Sequence, residues 1–290
     1  MKTVFNLFIL FLLTGLFTPA AAERSPAWPV EKSTKLPNGI TLHYVEQGDT
    51  GGIPVIFLHG ITDSWHSYER VLPLLPKTIH AYALSERGHG NSTKPLTGFR
   101  PEDFAEDLAL FMKHHRIGEA VIVGHSMSST ITQCFAVRHP ELVRSVVLVG
   151  AFADYNTELM TGFVKELATL KDPIDRKYAE EFQKSTLYRP VPPAYFETVV
   201  DESMKAPARV WYGVMSSFLK VNYLSGLRAF RKPTLVIWGE KDTYALRNDQ
   251  DLLQKAIPGS KLLIYEETGH AVHWEDPERF VRDLLDFTGQ

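Results

Sequence analysis

Cysteine is nearly absent from this sequence of 290 residues, which contains only Cys134. A single thiol excludes an intramolecular disulfide, so core packing must stabilise the fold, and a chain of this length can provide it. Apolar residues surround the thiol in the sequence, among them Ile131 and Phe135. We therefore expect Cys134 to be a buried apolar side chain and not a reactive group.

An excess of charge of one sign is also lacking. The sequence has 31 Lys and Arg against 34 Asp and Glu, a formal net charge of -3. This balance gives no electrostatic reason to expect nucleic acid or an acidic surface as a partner. We expect a small-molecule substrate, no nucleic acid, and either a monomer or a homodimer.

The one long apolar run lies at the N-terminus. Lys2 precedes an apolar run at residues 4–17, and three alanines follow at residues 20–22. This pattern is typical of a secretory signal peptide. We predict a signal peptide at residues 1–22 and a periplasmic or secreted, bacterial protein without stable membrane association after cleavage. The alternative is an uncleaved anchor, but the run is shorter than the roughly 20 residues that span a bilayer.

Short, continuous apolar runs recur through the rest of the sequence. They lie at residues 55–58, 79–84, 120–123, 145–149, 234–238 and 261–265. Such runs are typical of strands buried on both faces of a sheet. Helical patterns separate several of them, for example the stripe that includes Phe104, Leu108 and Phe111. The alternation predicts an α/β fold with a mostly parallel, doubly wound sheet.

One interval lacks a buried strand. Residues 152–231 instead show helical spacing, as at Met160 and Phe163. We predict a helical cap there, inserted into a core formed by residues 23–151 and 232–290. Ligands bind at the carboxyl ends of the strands in such sheets, so the cap is expected to cover the site. The alternative is a packing appendage away from the chemistry.

The most informative motif ends the third of these runs. Gly124 follows a β-branched run, Ser126 comes two residues later, and Ser128 opens a helical pattern. A serine whose hydroxyl projects from a tight strand-to-helix turn needs small residues two positions before and after it. The motif predicts Ser126 as a nucleophile.

A serine nucleophile needs a base, and a carboxylate should hold that base. Asp242 follows one predicted buried strand, and His270 follows the next. We predict Asp242 as the acid and His270 as the base. Two alternatives remain open, namely His273 as the base and Asp154 as the acid.

These motifs resemble those of the α/β-hydrolase fold family. The order Ser126, Asp242, His270 is the family's order of nucleophile, acid and histidine. Residues 57–61 resemble its strand-end His-Gly loop, and residues 87–92 resemble its R-G-x-G-x-S turn. The likeness runs from near residue 36 to the C-terminus and is more specific than any one motif.

The sequence departs from the family pattern in two places. Ser128 and Ser129 stand where glycines are usual, and Ser85 stands where an aspartate often precedes the R-G-x-G-x-S turn. The first departure is expected to tighten or tilt the turn at the nucleophile. The second is expected to matter little to the chemistry.

The resemblance implies an oxyanion hole built from the backbone N–H groups of Ile61 and Met127. Relatives that are haloalkane dehalogenases or epoxide hydrolases attack with an aspartate, so Ser126 points instead to acyl chemistry. Side chains that we expect to contact substrate are His59, His125, Phe163, Trp211 and Met215. The aromatic residues of the cap favour an apolar or aromatic substrate, although packing of the cap onto the core explains most of them equally well.

The predicted protein is an exported serine hydrolase that cleaves a carboxylic ester or lactone through an acyl-enzyme. We expect no metal and no cofactor, because none of the histidines lies in a zinc-binding sequence. C–C bond hydrolysis, amide hydrolysis and peracid formation use the same groups and remain alternatives. A ligand-binding receptor with little turnover is an alternative of another class.

Overall fold

A computed structural model describes residues 29–290, so the predicted signal peptide lies outside the described residues. An eight-stranded sheet runs through this part of the chain. Its strands are β1 (Val30–Lys35), β2 (Thr41–Gln47), β3 (Ile53–Leu58), β4 (Ile79–Ser85), β5 (Ala120–His125), β6 (Val143–Val149), β7 (Thr234–Gly239) and β8 (Lys261–Tyr265). The order across the sheet is β1-β2-β4-β3-β5-β6-β7-β8. The pairs β1–β2 and β2–β4 are antiparallel, and the other pairs are parallel.

The central strands, β3 to β7, are buried on both faces because their side chains alternate between two cores. Ile56 and Leu58 belong to the core on one face, together with apolar residues of α1 and α2. Val55 and Phe57 belong to the other core, which also contains Phe280 from the last helix. The predicted α/β fold with a mostly parallel sheet is confirmed.

Helices connect the parallel strands. They are α1 (Pro101–His114), α2 (Met127–Arg138), α3 (Glu158–Leu167), α4 (Arg176–Ser185), α5 (Pro193–Lys205), α6 (Ala208–Phe218), α7 (Leu224–Leu227), α8 (Arg247–Ala256), α9 (Val272–Glu275) and α10 (Pro277–Thr288). Within residues 29–290, no helix is both long and apolar enough to cross a bilayer.

Five of these helices, α3 to α7, lie between β6 and β7. Helix α3 packs against α6, and α4 packs against α5. Helix α7 returns to the core, where it packs against α2 and α8. The insertion leaves the sheet directly after β6, at the same edge as the turn that follows β5. Its first four helices are therefore placed beside the carboxyl ends of the central strands.

Candidate active site

Ser126 lies in the turn between β5 and α2. Its backbone angles are φ 54° and ψ -116°, a region that residues other than glycine seldom adopt. Gly124 permits this turn, because a Cβ there would lie 2.2 Å from the carbonyl oxygen of Ser128 and 2.3 Å from Oγ1 of Thr132. The strained turn holds the serine hydroxyl at the edge of the sheet.

Ser126, His270 and Asp242 meet at this edge. His270 Nε2 lies 2.8 Å from Ser126 Oγ, and His270 Nδ1 lies 2.7 Å from Asp242 Oδ2. The carboxylate accepts a hydrogen bond from Nδ1–H, so the neutral imidazole has an unprotonated Nε2 that can accept the proton of the serine hydroxyl. All three side chains belong to residues that are less than one-tenth exposed, so bulk water competes little with these bonds.

Backbone groups orient the carboxylate of Asp242. Its Oδ1 accepts hydrogen bonds from the N–H groups of Tyr244 (2.8 Å) and Ala245 (3.1 Å). On the other side of the histidine, a Cβ at Gly150 would lie 2.9 Å from His270 Nδ1. The missing side chain at Gly150 thus leaves room for the imidazole.

The two alternative residues lie elsewhere. His273 is fully buried, its Nε2 lies 3.1 Å from Ser67 Oγ, and burial lowers its pKa to about 3. Asp154 accepts hydrogen bonds from the backbone of Asn156 and the side chain of Asn222. Neither is hydrogen-bonded to the nucleophile or its histidine. In the described part of the chain, no three His, Cys, Asp or Glu side chains are placed to hold a metal ion.

Ile61 and Met127 both line the pocket in front of Ser126. Met127 is the first residue of α2, and the first N–H groups of a helix have no acceptor within it. The helix N-terminus also carries partial positive charge. Thr62, next to Ile61, has φ 71°, so the loop turns sharply at this point. These features suit the binding of an oxygen that gains negative charge.

The pocket is small and mostly apolar. Its volume is about 30 Å³. Its apolar wall consists of Ile61, Met127, Phe152, Tyr155, Met160, Phe163, Phe182, Met215 and Trp274. Three of the side chains expected to contact substrate, His125, Phe163 and Met215, lie in this lining.

Two expected pocket residues lie outside the lining. His59 is fully buried behind the loop, where its Nε2 accepts a hydrogen bond from the Glu86 N–H at 3.0 Å. Trp211 is fully buried between cap helices, and its indole N–H donates to the Ala206 carbonyl at 3.0 Å. Neither side chain lines the pocket, and substrate contact at these two residues stays a prediction. Helical spacing shows that Trp211 is buried, but it does not show which element covers it.

The sequence analysis did not predict Asp63 and Gln183, two polar residues of the pocket. Asp63 lies in the loop after β3, and Gln183 lies in cap helix α4; both line the pocket. Gln183 Nε2 donates to Asp63 Oδ1 at 2.8 Å and to Ser203 Oγ at 2.7 Å. Burial raises the pKa of the Asp63 carboxyl to about 8, against the opposing effect of its hydrogen bonds. No local sequence signal pairs a residue of α4 with this loop.

Comparison with known proteins identifies the family. The sequence model of the alpha/beta hydrolase fold matches residues 53–184 and 211–277, more than half of the chain. The chain therefore belongs to the α/β-hydrolase fold family.

Its relatives include hydrolases at low identity. The 2-(acetamidomethylene)succinate hydrolase of Mesorhizobium japonicum is 25% identical over 256 residues, which are 86% of this chain and 91% of that protein. Lipase 1 of Psychrobacter immobilis is 26% identical over 252 residues, 82% of this chain and 78% of the lipase. An esterase structure from Exiguobacterium antarcticum shares the fold with a TM-score of 0.81 and 19% identity, and it covers 90% of this chain and 100% of its own. The two sequence relatives support the prediction of a hydrolase, and the esterase structure shows the shared fold.

Proposed function

We propose that this protein is a serine hydrolase that cleaves carboxylic esters or lactones through an acyl-enzyme. The observation that carries the proposal is the hydrogen-bonded series from Ser126 through His270 to Asp242 beside an apolar pocket. Such a series activates a hydroxyl for attack on a carbonyl carbon.

In this mechanism Ser126 Oγ attacks the carbonyl carbon while His270 Nε2 takes its proton. The carbonyl oxygen becomes negatively charged and accepts hydrogen bonds from the N–H groups of Ile61 and Met127, each worth on the order of 3 kcal/mol in the transition state. His270 then gives the proton to the leaving alcohol. In the second half, His270 activates water, which releases the acid and restores the serine.

The pocket volume favours a small acyl group. A cavity of about 30 Å³ is not far above the roughly 10–15 Å³ minimum for a single water, so the enclosed space beside Ser126 is small. Aromatic and thioether side chains from the cap, among them Phe163 and Met215, line this space. We therefore propose short, apolar acyl esters or small lactones as the preferred substrates.

The test is hydrolysis of p-nitrophenyl esters from acetate to decanoate, with small lactones alongside, by the chain that starts at residue 23. We expect the highest kcat/KM for acetate to butyrate and a steep decline beyond. Ser126→Ala should abolish turnover, while Ser33→Ala, on an exposed strand, serves as the matched control. Circular dichroism confirms that both variants fold.

Four outcomes would contradict the proposal in whole or in part. Full activity in Ser126→Ala would mean that the nucleophile is another residue. A preference for long acyl chains would refute the size argument but leave the serine mechanism intact. No turnover of any ester or lactone, combined with tight binding of a ligand, would favour a receptor; turnover of amides or diketones alone would favour the other reactions of the same groups.

We also propose export, and this part rests on the N-terminal sequence alone. The basic, apolar and small-residue segments of residues 1–22 are the supporting pattern. Expression of the full-length gene in a Gram-negative host should yield periplasmic protein that begins at Glu23. Mass spectrometry of that protein distinguishes cleavage from an intact anchor.

A further inference from the structure

Ser128 is the residue at which this chain departs from the glycine usual for its family. The side chain is fully buried at the start of α2. Its Oγ lies 2.5 Å from the carbonyl oxygen of His59 and 2.6 Å from Oε2 of Glu86. The extra hydroxyl is therefore in contact with two separate segments, the loop after β3 and the turn after β4.

Counting protons assigns the state of Glu86. The Ser128 hydroxyl has one hydrogen but two oxygen neighbours at hydrogen-bond distance. The His59 carbonyl can only accept, so the hydroxyl donates to it. The contact between Glu86 Oε2 and Ser128 Oγ then requires a hydrogen on the carboxyl. A carboxylate there would instead leave two oxygens at close range without a hydrogen between them.

Glu86 contacts the same loop a second time. Its backbone N–H donates to His59 Nε2 at 3.0 Å, which fixes the neutral histidine with its hydrogen on Nδ1. That Nδ1 then donates to the carbonyl oxygen of Gly60 at 2.6 Å. The result is a continuous set of hydrogen bonds from Glu86 and Ser128 through His59 to the residue before Ile61.

This network joins the two segments of the oxyanion hole. Ser128 directly follows Met127, and Gly60 directly precedes Ile61. The spacing of the two N–H donors therefore depends on bonds that Ser128 and Glu86 make. In catalysis by preorganised donors, an error of about 1 Å in position lowers the rate on the order of 100-fold.

We propose that Glu86 is held as a neutral carboxylic acid and that Glu86 and Ser128 are positioning residues, which keep the N–H groups of Ile61 and Met127 at the spacing that the oxyanion needs. The proposal rests on the esterase function proposed above.

The surroundings of Glu86 favour the neutral form. Burial raises its pKa to about 8, and the carboxylate of Asp107 on α1 acts in the same direction. The charge of Arg87 opposes the shift, and so does the hydrogen bond that Ser128 donates to the ionised form of Glu86. Arg87 and Asp107 are bound to each other by two hydrogen bonds of 2.6 Å, so their opposite effects on Glu86 largely cancel and burial is the main cause of the shift. The charge of Glu86 also acts on the phenol of Tyr68, whose pKa lies well above the usual value, mainly because of burial.

A pH dependence follows. Below pH of about 8 the acid holds its proton and the network is complete. Above that pH the carboxylate draws the Ser128 hydrogen to itself, and the His59 carbonyl loses its donor. Activity is therefore expected to decline as the pH rises through this value.

Four variants test the proposal on p-nitrophenyl acetate. Glu86→Gln keeps a neutral donor toward Ser128, so its kcat should stay near wild type and its decline at alkaline pH should disappear. Glu86→Leu and Ser128→Ala should lower kcat about 10-fold to 100-fold with little change in KM, since the loss falls on the transition state. Ser129→Ala is the matched control, because this neighbouring serine interacts with the backbone of Phe152 instead.

Several outcomes would overturn the proposal. They are a Glu86→Gln variant as impaired as Glu86→Leu, a Ser128→Ala variant with unchanged kcat, and an alkaline decline that persists in Glu86→Gln. Asp63 also has a pKa of about 8, so loss of the decline in Asp63→Asn, and not in Glu86→Gln, would assign it to Asp63.

A second measurement, infrared spectroscopy, depends neither on enzyme activity nor on the Glu86→Leu variant. The infrared difference spectrum between wild type and Glu86→Gln at pH 7 should contain the C=O stretch of a protonated carboxyl group. A carboxylate band in its place would refute the neutral acid, even if the esterase function holds. If the wild-type protein turns over no ester or lactone, the esterase function has failed. The spectrum still tests the protonation state of Glu86 by itself.

Discussion

Two residues, Asp242 and Asp154, were candidates for the acid that holds His270, and the structure places Asp242 beside that histidine. Asp242 is bound to His270 Nδ1, whereas Asp154 is bound to Asn156 and Asn222. Asp242→Asn replaces an acceptor by an amide that favours the wrong histidine tautomer. We expect kcat to fall on the order of 10⁴-fold.

Asp154→Asn is the matched control for this prediction. It makes the same chemical change at the other candidate acid, which is half-buried and outside the pocket lining. Its kcat toward p-nitrophenyl acetate should stay close to wild type. A larger loss of kcat in Asp154→Asn than in Asp242→Asn would instead assign the role of the acid to Asp154, after β6.

Among secondary-structure elements, the buried strands were the easiest to predict. Each is a continuous apolar run because it is covered on both faces, and the predicted runs coincide with β3 to β8 within two residues. Helices α4 and α5 of the cap were not located. Five of the ten residues of α4 are charged, and only Ala179 and Gln183 are buried, so it has no long apolar stripe. Its position is decided by contacts with distant elements.

In the proposed esterase, helices α3 and α4 together limit the length of the acyl chain. Phe163 on α3 stacks on Phe182 of α4, with ring centroids 5.7 Å apart and planes at 7°, and both rings line the pocket. Phe163→Ala removes one ring from the wall. We expect the ratio of kcat/KM for octanoate to that for acetate to rise about 10-fold, because each added methylene then gains buried contact.

Leu159→Ala is the control for the cap variant. It shortens a side chain on the same helix, but Leu159 is 51% exposed and does not line the pocket. Its chain-length profile should match that of wild type. An unchanged profile in Phe163→Ala would mean that the acyl chain leaves the site in another direction.

For the molecule as a whole, the polar contacts that join elements were beyond the reach of the sequence. Gln183 and Asp63 are 120 residues apart, and Ser128 and Glu86 are 42 apart. Their pairing depends on the strand order and on how the cap docks, neither of which leaves a local pattern. By contrast, Ser126 and His270 lie in local motifs, so the sequence alone singled them out.

The buried ionisable groups give the whole molecule a pH of maximum stability. Burial lowers the pKa of His89 to about 4 and of His273 to about 3, and it lowers those of His59 and His125 well below the usual value. Below a pH of about 6.5 the unfolded chain therefore binds more protons than the folded chain, and stability falls as the pH drops.

Two buried acids have the opposite effect. The pKa values of Asp63 and Glu86 are about 8 when folded, above those of free carboxyls, so the folded chain holds two protons that the unfolded chain has lost. Their contribution is present at low pH and is lost as the pH rises toward 8. Below a pH of about 6.5 the four histidines dominate, and stability rises with pH. Above it the two acids dominate, and stability falls with pH. The free energy of unfolding should therefore be greatest near pH ~6.5.

Urea unfolding at a series of pH values between ~5 and ~9 measures this balance as the free energy of unfolding. Wild type should be most stable near pH ~6.5 and lose stability on both sides. The double variant Asp63→Asn/Glu86→Gln carries neutral amides at both positions, so its decline on the alkaline side should flatten while the acid side remains. Glu141→Gln, an exposed acid, should reproduce the wild-type curve. A wild-type stability that stays constant from the maximum to pH ~8.5 would mean that neither carboxyl is protonated in the folded chain.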